Sequence, residues 1–260
     1  MCNGSRQAHL RAARWFFASI AFATLAACAP LPPRNPIATW VPSKNHDLRK
    51  PQLVVVHFTD EDSAAQSLRT LRTRNSGGPV SAHYLIGRDG HIYQLVSDTL
   101  RAWHAGGGRW GTITDVNSAS LGIELDNNGH VPFPPQQIDS LIRLLTDLTP
   151  RWQIPRTQII GHEDLAPSRK DDPGPLFPWA TLAAAGFGLW PDPILVDPPA
   201  GFDPWMALTA IGYSLDDREA AVRAFHDHFR GKGGDTLDAQ DLRILYNLVG
   251  KIERGAAANP

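Results

Sequence analysis

The sequence predicts an α/β protein, a mixed central β-sheet flanked by helices, followed by a small C-terminal three-helix domain. Three observations carry this reading. Gln52 to Thr59, with Leu-Val-Val-Val-His-Phe at its heart, is a β-branched run apolar on both faces, as in a central strand covered on two sides. Pro135 opens a stretch with Ile138, Leu141, Ile142, Leu145 and Leu148 on one helical stripe. After a proline-dense segment, three further stripes fill the last 60 or so residues.

In chain order, Arg6, Arg11 and Arg14 precede an apolar run from Trp15 to Ala27 that is short for a membrane span, which reads as a secretory signal over 1–27. Its end, Leu25-Ala26-Ala27-Cys28, resembles the lipobox of bacterial lipoproteins, and that resemblance implies lipidation of Cys28. Ala29 beside it implies outer-membrane sorting, so the expected location is the periplasmic side of the outer membrane, held by a lipid anchor. Residues 28–50 hold five prolines without apolar periodicity and are expected to form an extended, loosely ordered tether.

The catalytic domain is assigned to 51–190. Within it, Asp62 to Arg74 has Ala65, Leu68 and Leu71 at helical spacing. Val80 to Ile86 and His91 to Val96 flank Arg88-Asp89-Gly90 as a hairpin. Ser120 to Asp126 alternates, so a strand there turns Glu124 away from the apolar face. Gln158 to Ile160 reads as a last short strand, and Pro178 to Leu189 as a short helix ending near Gly186 or Gly188. Residues 191–201, with Asp192 and Asp197 among prolines, form a linker to a helical domain over 202–260 whose first and third helices start at the caps Asp203 and Asp238.

The formal net charge of −1 gives no electrostatic basis for a nucleic-acid partner. Only Cys2 and Cys28 occur, both ahead of the folded part, so a metal here needs histidines and carboxylates. Gly161 to Pro175 concentrates such groups in a segment whose prolines prevent one continuous helix or strand. His57 and His162 at strand ends, with Asp172 in the following loop, make a two-histidine, one-carboxylate set, the layout of a catalytic zinc with an open fourth position. With ten histidines in the chain, spacing alone leaves open whether these are ligands or ordinary core and surface residues.

Val55-Val56-His57-Phe58-Thr59, Val80-Ser81-Ala82-His83-Tyr84-Leu85-Ile86, Arg101-Ala102-Trp103-His104-Ala105-Gly106, Ser120-Leu121-Gly122-Ile123-Glu124-Leu125 and the 161–175 stretch occur in the order found in zinc-dependent N-acetylmuramoyl-L-alanine amidases, the amidase_2 family. The resemblance runs from about Ile37 to Trp190 and is nearest the lipoprotein branch called AmiD, whose members carry a C-terminal helical peptidoglycan-binding module. It implies a fold like that of amidases and peptidoglycan-recognition proteins, Zn2+ on His57, His162 and Asp172, and catalytic roles for Glu124 and Lys170. It also implies peptidoglycan or muropeptides as the partner, with no obligate protein partner.

Two aspartates adjoin where a common family form has a threonine after the lysine. Asp172 precedes Pro173 as the family ligand does, so Asp171 is read as a solvated or outlying acid. Glu163 and Asp164 are read as loop-shaping hydrogen-bond acceptors. His83 either orients another group or packs. Arg88 is either a contact to a peptide carboxylate or a solvated turn residue, and His104, with Trp103, is a candidate contact to sugar or peptide. The implied reaction is hydrolysis of the amide between the lactyl group of (anhydro-)N-acetylmuramic acid and L-alanine of the stem peptide. Competing readings are a recognition protein of the same fold that binds without cleaving, and a zinc endopeptidase acting within the stem peptide.

Overall fold

The computed structural model describes residues 34–48 and 51–258; the signal segment and Cys28 lie outside the described residues. Strands β1 (Thr39–Trp40), β2 (His46–Leu48) and β3 (Leu53–Phe58) are followed by helix α1 (Ala64–Thr70). Then come β4 (Tyr84–Ile86), β5 (Ile92–Gln94), β6 (Leu100–Ala102), α2 (Val116–Ala119), β7 (Ser120–Leu125) and α3 (Pro135–Trp152). The chain continues with β8 (Ile159–Gly161), α4 (His162–Leu165), α5 (Trp179–Ala184), α6 (Pro204–Ile211), α7 (Arg218–Arg230) and α8 (Ala239–Ala258).

Six strands form the main sheet in the order β1-β5-β4-β7-β3-β8, and β2 pairs with β6. The pairs β4–β7, β7–β3 and β3–β8 are parallel, whereas β4 and β5 form the antiparallel hairpin. The mixed sheet follows from the connections: the tight turn at Gly90 (φ 81°) permits antiparallel return, and the helical crossovers impose parallel pairing. The stretch from 34 corrects the tether reading in part. β1 joins the sheet edge beside β5, an attachment that Val41 and Ser43 extend by donating to the carbonyls of Gln94 and Leu95, and β2 pairs with β6.

Side-chain parity divides the sheet into two faces. Val54, Val56, Leu121, Ile123 and Ile159 pack under the apolar stripe of α3. Leu53, Val55 and Ile160 lie on the opposite face in one apolar cluster with Leu208, Phe225 and Leu245 of α6, α7 and α8. Each of these helices begins or is bounded as its sequence dictates: Asp203 and Asp217 accept from the first-turn amides of α6 and α7, and Asp238 accepts from Asp241 N at 3.0 Å. The C-terminal helices therefore do not stand apart as a separate module. The 191–201 segment is a change of secondary structure over a continuous core, fastened where Lys251 Nζ meets Asp192 at 2.7 Å. No helix among the described residues is long and apolar enough to cross a membrane.

Candidate active site

The site lies on the sheet face that carries the C-terminal helices, at the carboxyl ends of β3, β7 and β8. His57 and Glu124 are register partners on adjacent parallel strands, so their side chains leave the sheet on the same side. β8 ends at Gly161, and His162 starts the single turn α4, so the polar segment that follows β8 opens with a helical turn. Gly161 is required there: a Cβ would stand 2.7 Å from Pro173 Cδ. The backbone of Glu163 donates to Asp172 O at 2.8 Å, which folds the loop back so that Asp172 returns beside His162.

The convergence is tight. His57 Nδ1 lies 3.0 Å from His162 Nδ1 and 2.9 Å from Asp172 Oδ2, and His162 Nδ1 lies 3.1 Å from Asp172 Oδ2. All three side chains are buried. His162 Nε2–H donates to Ala105 O at 2.9 Å, which leaves Nδ1 as the lone-pair nitrogen. Burial, then the neighbouring His162, lowers the His57 pKa to about 4 against the pull of Asp172, so its imidazole is neutral near pH 7. Burial would push the Asp172 carboxyl up, but His162 and the contacts from both histidines outweigh it and hold the group well below the usual carboxylate range.

The Nδ1 atoms of two imidazoles and a carboxylate oxygen thus converge on one spot. The donor set can hold a metal ion, and the three atoms approach the edge length of a tetrahedron with bonds of about 2.0–2.1 Å, about 3.3 Å.

Glu124 stands next to this group in a cleft of about 440 Å³ that His57, His162, Asp172, Lys170 and Trp103 also line. The alternation of its strand holds: Leu121, Ile123 and Leu125 face α3 while Glu124 turns to the cleft, although β7 is buried along its whole length and Glu124 is only 9 % exposed. Its Oε2 is buried without a hydrogen-bond partner among the described residues. Burial first, then the Asp172 charge, pushes its carboxyl well above the usual range, and Lys170 opposes the shift. A carboxylate so placed is a ready proton acceptor. Lys170 is half-buried on the same cleft, while Asp171 is exposed and lies outside the three-atom group.

Of the remaining candidates, Arg88 is not among the residues lining this cleft; its Nε donates to Asp126 O at 3.2 Å and lies 3.7 Å from Asp126 Oδ2. His83 is fully buried and structural, accepting from Gly122 N at Nδ1 (3.0 Å) and donating from Nε2 to Leu100 O (2.9 Å). His104 reaches the cleft but is bonded to His57 Nε2 at 3.0 Å. Asp164 is an acceptor, as read, for Gly161 N, Tyr213 Oη and His228 Nδ1 at 2.7, 2.5 and 2.7 Å. Glu163 is not: both its carboxylate oxygens are buried without a partner among the described residues.

Sequence reasoning passed over Asn117, whose Oδ1 accepts from the backbones of His104 and Ala105, and Arg169, which donates to Ala105 O at 2.7 Å. It also passed over Tyr213 and His228, which tie the C-terminal helices to the loop holding His162. Asn117 lies just before the strand at 120–125; the contacts of Arg169, Tyr213 and His228 named above span 49 to 64 residues and leave no local pattern.

A family described as N-acetylmuramoyl-L-alanine amidase matches residues 47–175. AmpD of Enterobacter cloacae, a 1,6-anhydro-N-acetylmuramyl-L-alanine amidase, is 33% identical over 176 residues, 56% of this chain and 89% of that protein. The chain belongs to the N-acetylmuramoyl-L-alanine amidase family. Within that family, AmiD of Escherichia coli (strain K12) is 42% identical over 158 residues, so the match spans 54% of this chain and only 55% of the relative's length. The solved complex of E. coli AmiD with anhydro-N-acetylmuramic acid-L-Ala-D-γ-Glu-L-Lys superposes with a TM-score of 0.68 at 34% identity, covering 78% of this chain and 90% of that one. AmpDH3 of Pseudomonas aeruginosa in complex with anhydromuramic pentapeptide gives 0.68 at 28% identity, covering 90% and 99%. These amidase structures extend the likeness over the mixed sheet and into the C-terminal helices.

Proposed function

We propose that this chain is a zinc-dependent N-acetylmuramoyl-L-alanine amidase that hydrolyses the amide joining the lactyl group of (anhydro-)N-acetylmuramic acid to L-alanine, acting on peptidoglycan or its muropeptide fragments. The observation that carries the reading is the convergence of His57, His162 and Asp172 in one cleft with Glu124 and Lys170. Relatives solved with anhydro-muropeptides support the substrate class.

Zn2+ held by His57 Nδ1, His162 Nδ1 and Asp172 Oδ2 would supply a water of lowered pKa and polarise the scissile carbonyl. Glu124 takes the proton of the attacking water, its raised proton affinity matching it to that task. The same carboxyl then hands a proton to the departing amine of L-alanine, which prevents its return as a nucleophile. Lys170 brings positive charge to the oxygen that gains negative charge in the transition state. A binding-only protein of the same fold needs neither Glu124 nor Lys170 on the cleft wall, and both are there.

The proposal includes export. Leu25-Ala26-Ala27-Cys28 supports a lipid anchor at Cys28 and attachment to the periplasmic side of the outer membrane. The test of the chemistry is metal dependence. Chelation should abolish release of stem peptides from sacculi and Zn2+ should restore it; full activity in excess chelator contradicts the mechanism.

A further inference from the structure

The sequence marks His104 as a contact for sugar or peptide, yet both its ring nitrogens already have partners inside the protein. Nδ1 lies 3.0 Å from His57 Nε2, and Nε2 lies 3.1 Å from Ser120 Oγ. The directions of these bonds follow from one end of the chain of contacts. Ser120 Oγ–H donates to Val116 O at 2.6 Å, and a carbonyl can only accept. Toward His104 the serine oxygen is therefore an acceptor, and His104 Nε2 must carry the hydrogen. A neutral His104 then presents a lone pair at Nδ1, and His57 Nε2–H must donate to it. His57 is left with its lone pair on Nδ1, the atom that faces His162 Nδ1 and Asp172 Oδ2.

We propose that His104 is a positioning residue that fixes the tautomer and ring orientation of His57 for metal binding, through the relay His57 Nε2–H to His104 Nδ1, His104 Nε2–H to Ser120 Oγ and Ser120 Oγ–H to Val116 O. Gly122 is part of the device. A Cβ there would come within 2.4 Å of His104 Cγ, so the ring lies flat against a strand position that only glycine leaves open. The backbone on either side is also set: His104 N and Ala105 N both donate to Asn117 Oδ1, and Ala105 O in turn receives His162 Nε2–H. One short segment thus orients the outer nitrogens of both metal-binding histidines, His162 through a carbonyl and His57 through an imidazole.

The inference rests on the metal-site reading of His57, His162 and Asp172, and the test separates the two. Zinc affinity of the full chain is measured by competition with a chromophoric chelator, and the visible spectrum of the cobalt-substituted protein reports ligand geometry. His104→Phe keeps the ring and removes both nitrogens, and should weaken zinc binding about 10–100-fold, the usual loss on removing such a partner. His104→Asn puts an acceptor oxygen where Nδ1 stands, and should bind zinc within about threefold of wild type with an unchanged cobalt spectrum; His104→Gln cannot place it there, and should resemble His104→Phe. Gly122→Ala, which displaces the ring without touching its chemistry, should weaken zinc in the same direction. Wild-type zinc affinity in His104→Phe together with a raised KM would overturn the proposal in favour of a substrate contact, and loss of affinity in His104→Asn equal to that in His104→Phe would overturn the hydrogen-bond argument. A wild-type protein that binds no zinc would sink the metal-site reading itself.

Discussion

Glu124 should make the protein less stable as the condition of making it active, and Glu124→Gln separates the two effects. The side chain is 9 % exposed, and Oε2 is buried with no hydrogen-bond partner among the described residues. Burial and the adjacent Asp172 raise its proton affinity above that of a free glutamate, whose pKa is 4.5. In the folded state the proton is held more tightly than in the unfolded chain, so stability is full below about pH 4.5 and falls as pH rises through the folded-state value. Gln removes the charge and keeps the shape. In metal-free protein the variant should match wild type near pH 4 and exceed it at pH 7. The gain comes from removing the buried charge, and each kcal/mol of it corresponds to about 2–4 °C in Tm for a chain of this size. Turnover should fall about 10²–10⁴-fold, as expected when a general base is lost. Thermal melts across pH and a peptide-release assay on the same preparations supply both readings. A variant no more stable than wild type at pH 7, or one that keeps a tenth of the wild-type rate, refutes the reasoning.

Lys170→Ala should reduce kcat about 10²–10³-fold with zinc content unchanged, as for removal of one oxyanion partner; metal analysis beside steady-state kinetics checks it. Asp172→Ala should lose zinc, whereas Asp171→Ala, at an exposed position outside the ligand group, should retain it, and equilibrium dialysis distinguishes them. Tyr213→Phe removes a donor from the buried Asp164, which should destabilise the protein by about 1–3 kcal/mol in urea melts. Cys28→Ala should abolish incorporation of labelled fatty acid and leave the activity of the detergent-free protein intact.

Much of the fold was written in local pattern. The apolar run at Leu53–Phe58, the stripe after Pro135 and the Arg88-Asp89-Gly90 turn each name their element, because buried strands, amphipathic helices and tight turns restrict residue type at short range. The segment before Pro51 was less legible. β1 and β2 are two and three residues long, and edge pairing through backbone amides asks little of the side chains. The packing of α6, α7 and α8 on the sheet was also hidden, since an apolar stripe does not say what it meets. At the site, residue types and the family pattern pointed to His57, His162, Asp172, Glu124 and Lys170, all of which the structure gathers on one cleft. His104 could not be placed from sequence: whether an exposed-looking histidine faces a substrate or another histidine depends on Gly122 and Ser120, on a strand that its own loop meets only in the folded sheet.

The central claim is the bond that is cut, and mass spectrometry of the products from a purified anhydro-muropeptide tests it most directly. The account predicts two products, anhydro-N-acetylmuramic acid with a free lactyl carboxylate and an intact stem peptide beginning at L-alanine, formed with zinc and not in its absence. Cleavage between two amino acids of the stem, or binding of the muropeptide with no cleavage by zinc-loaded protein, would contradict it.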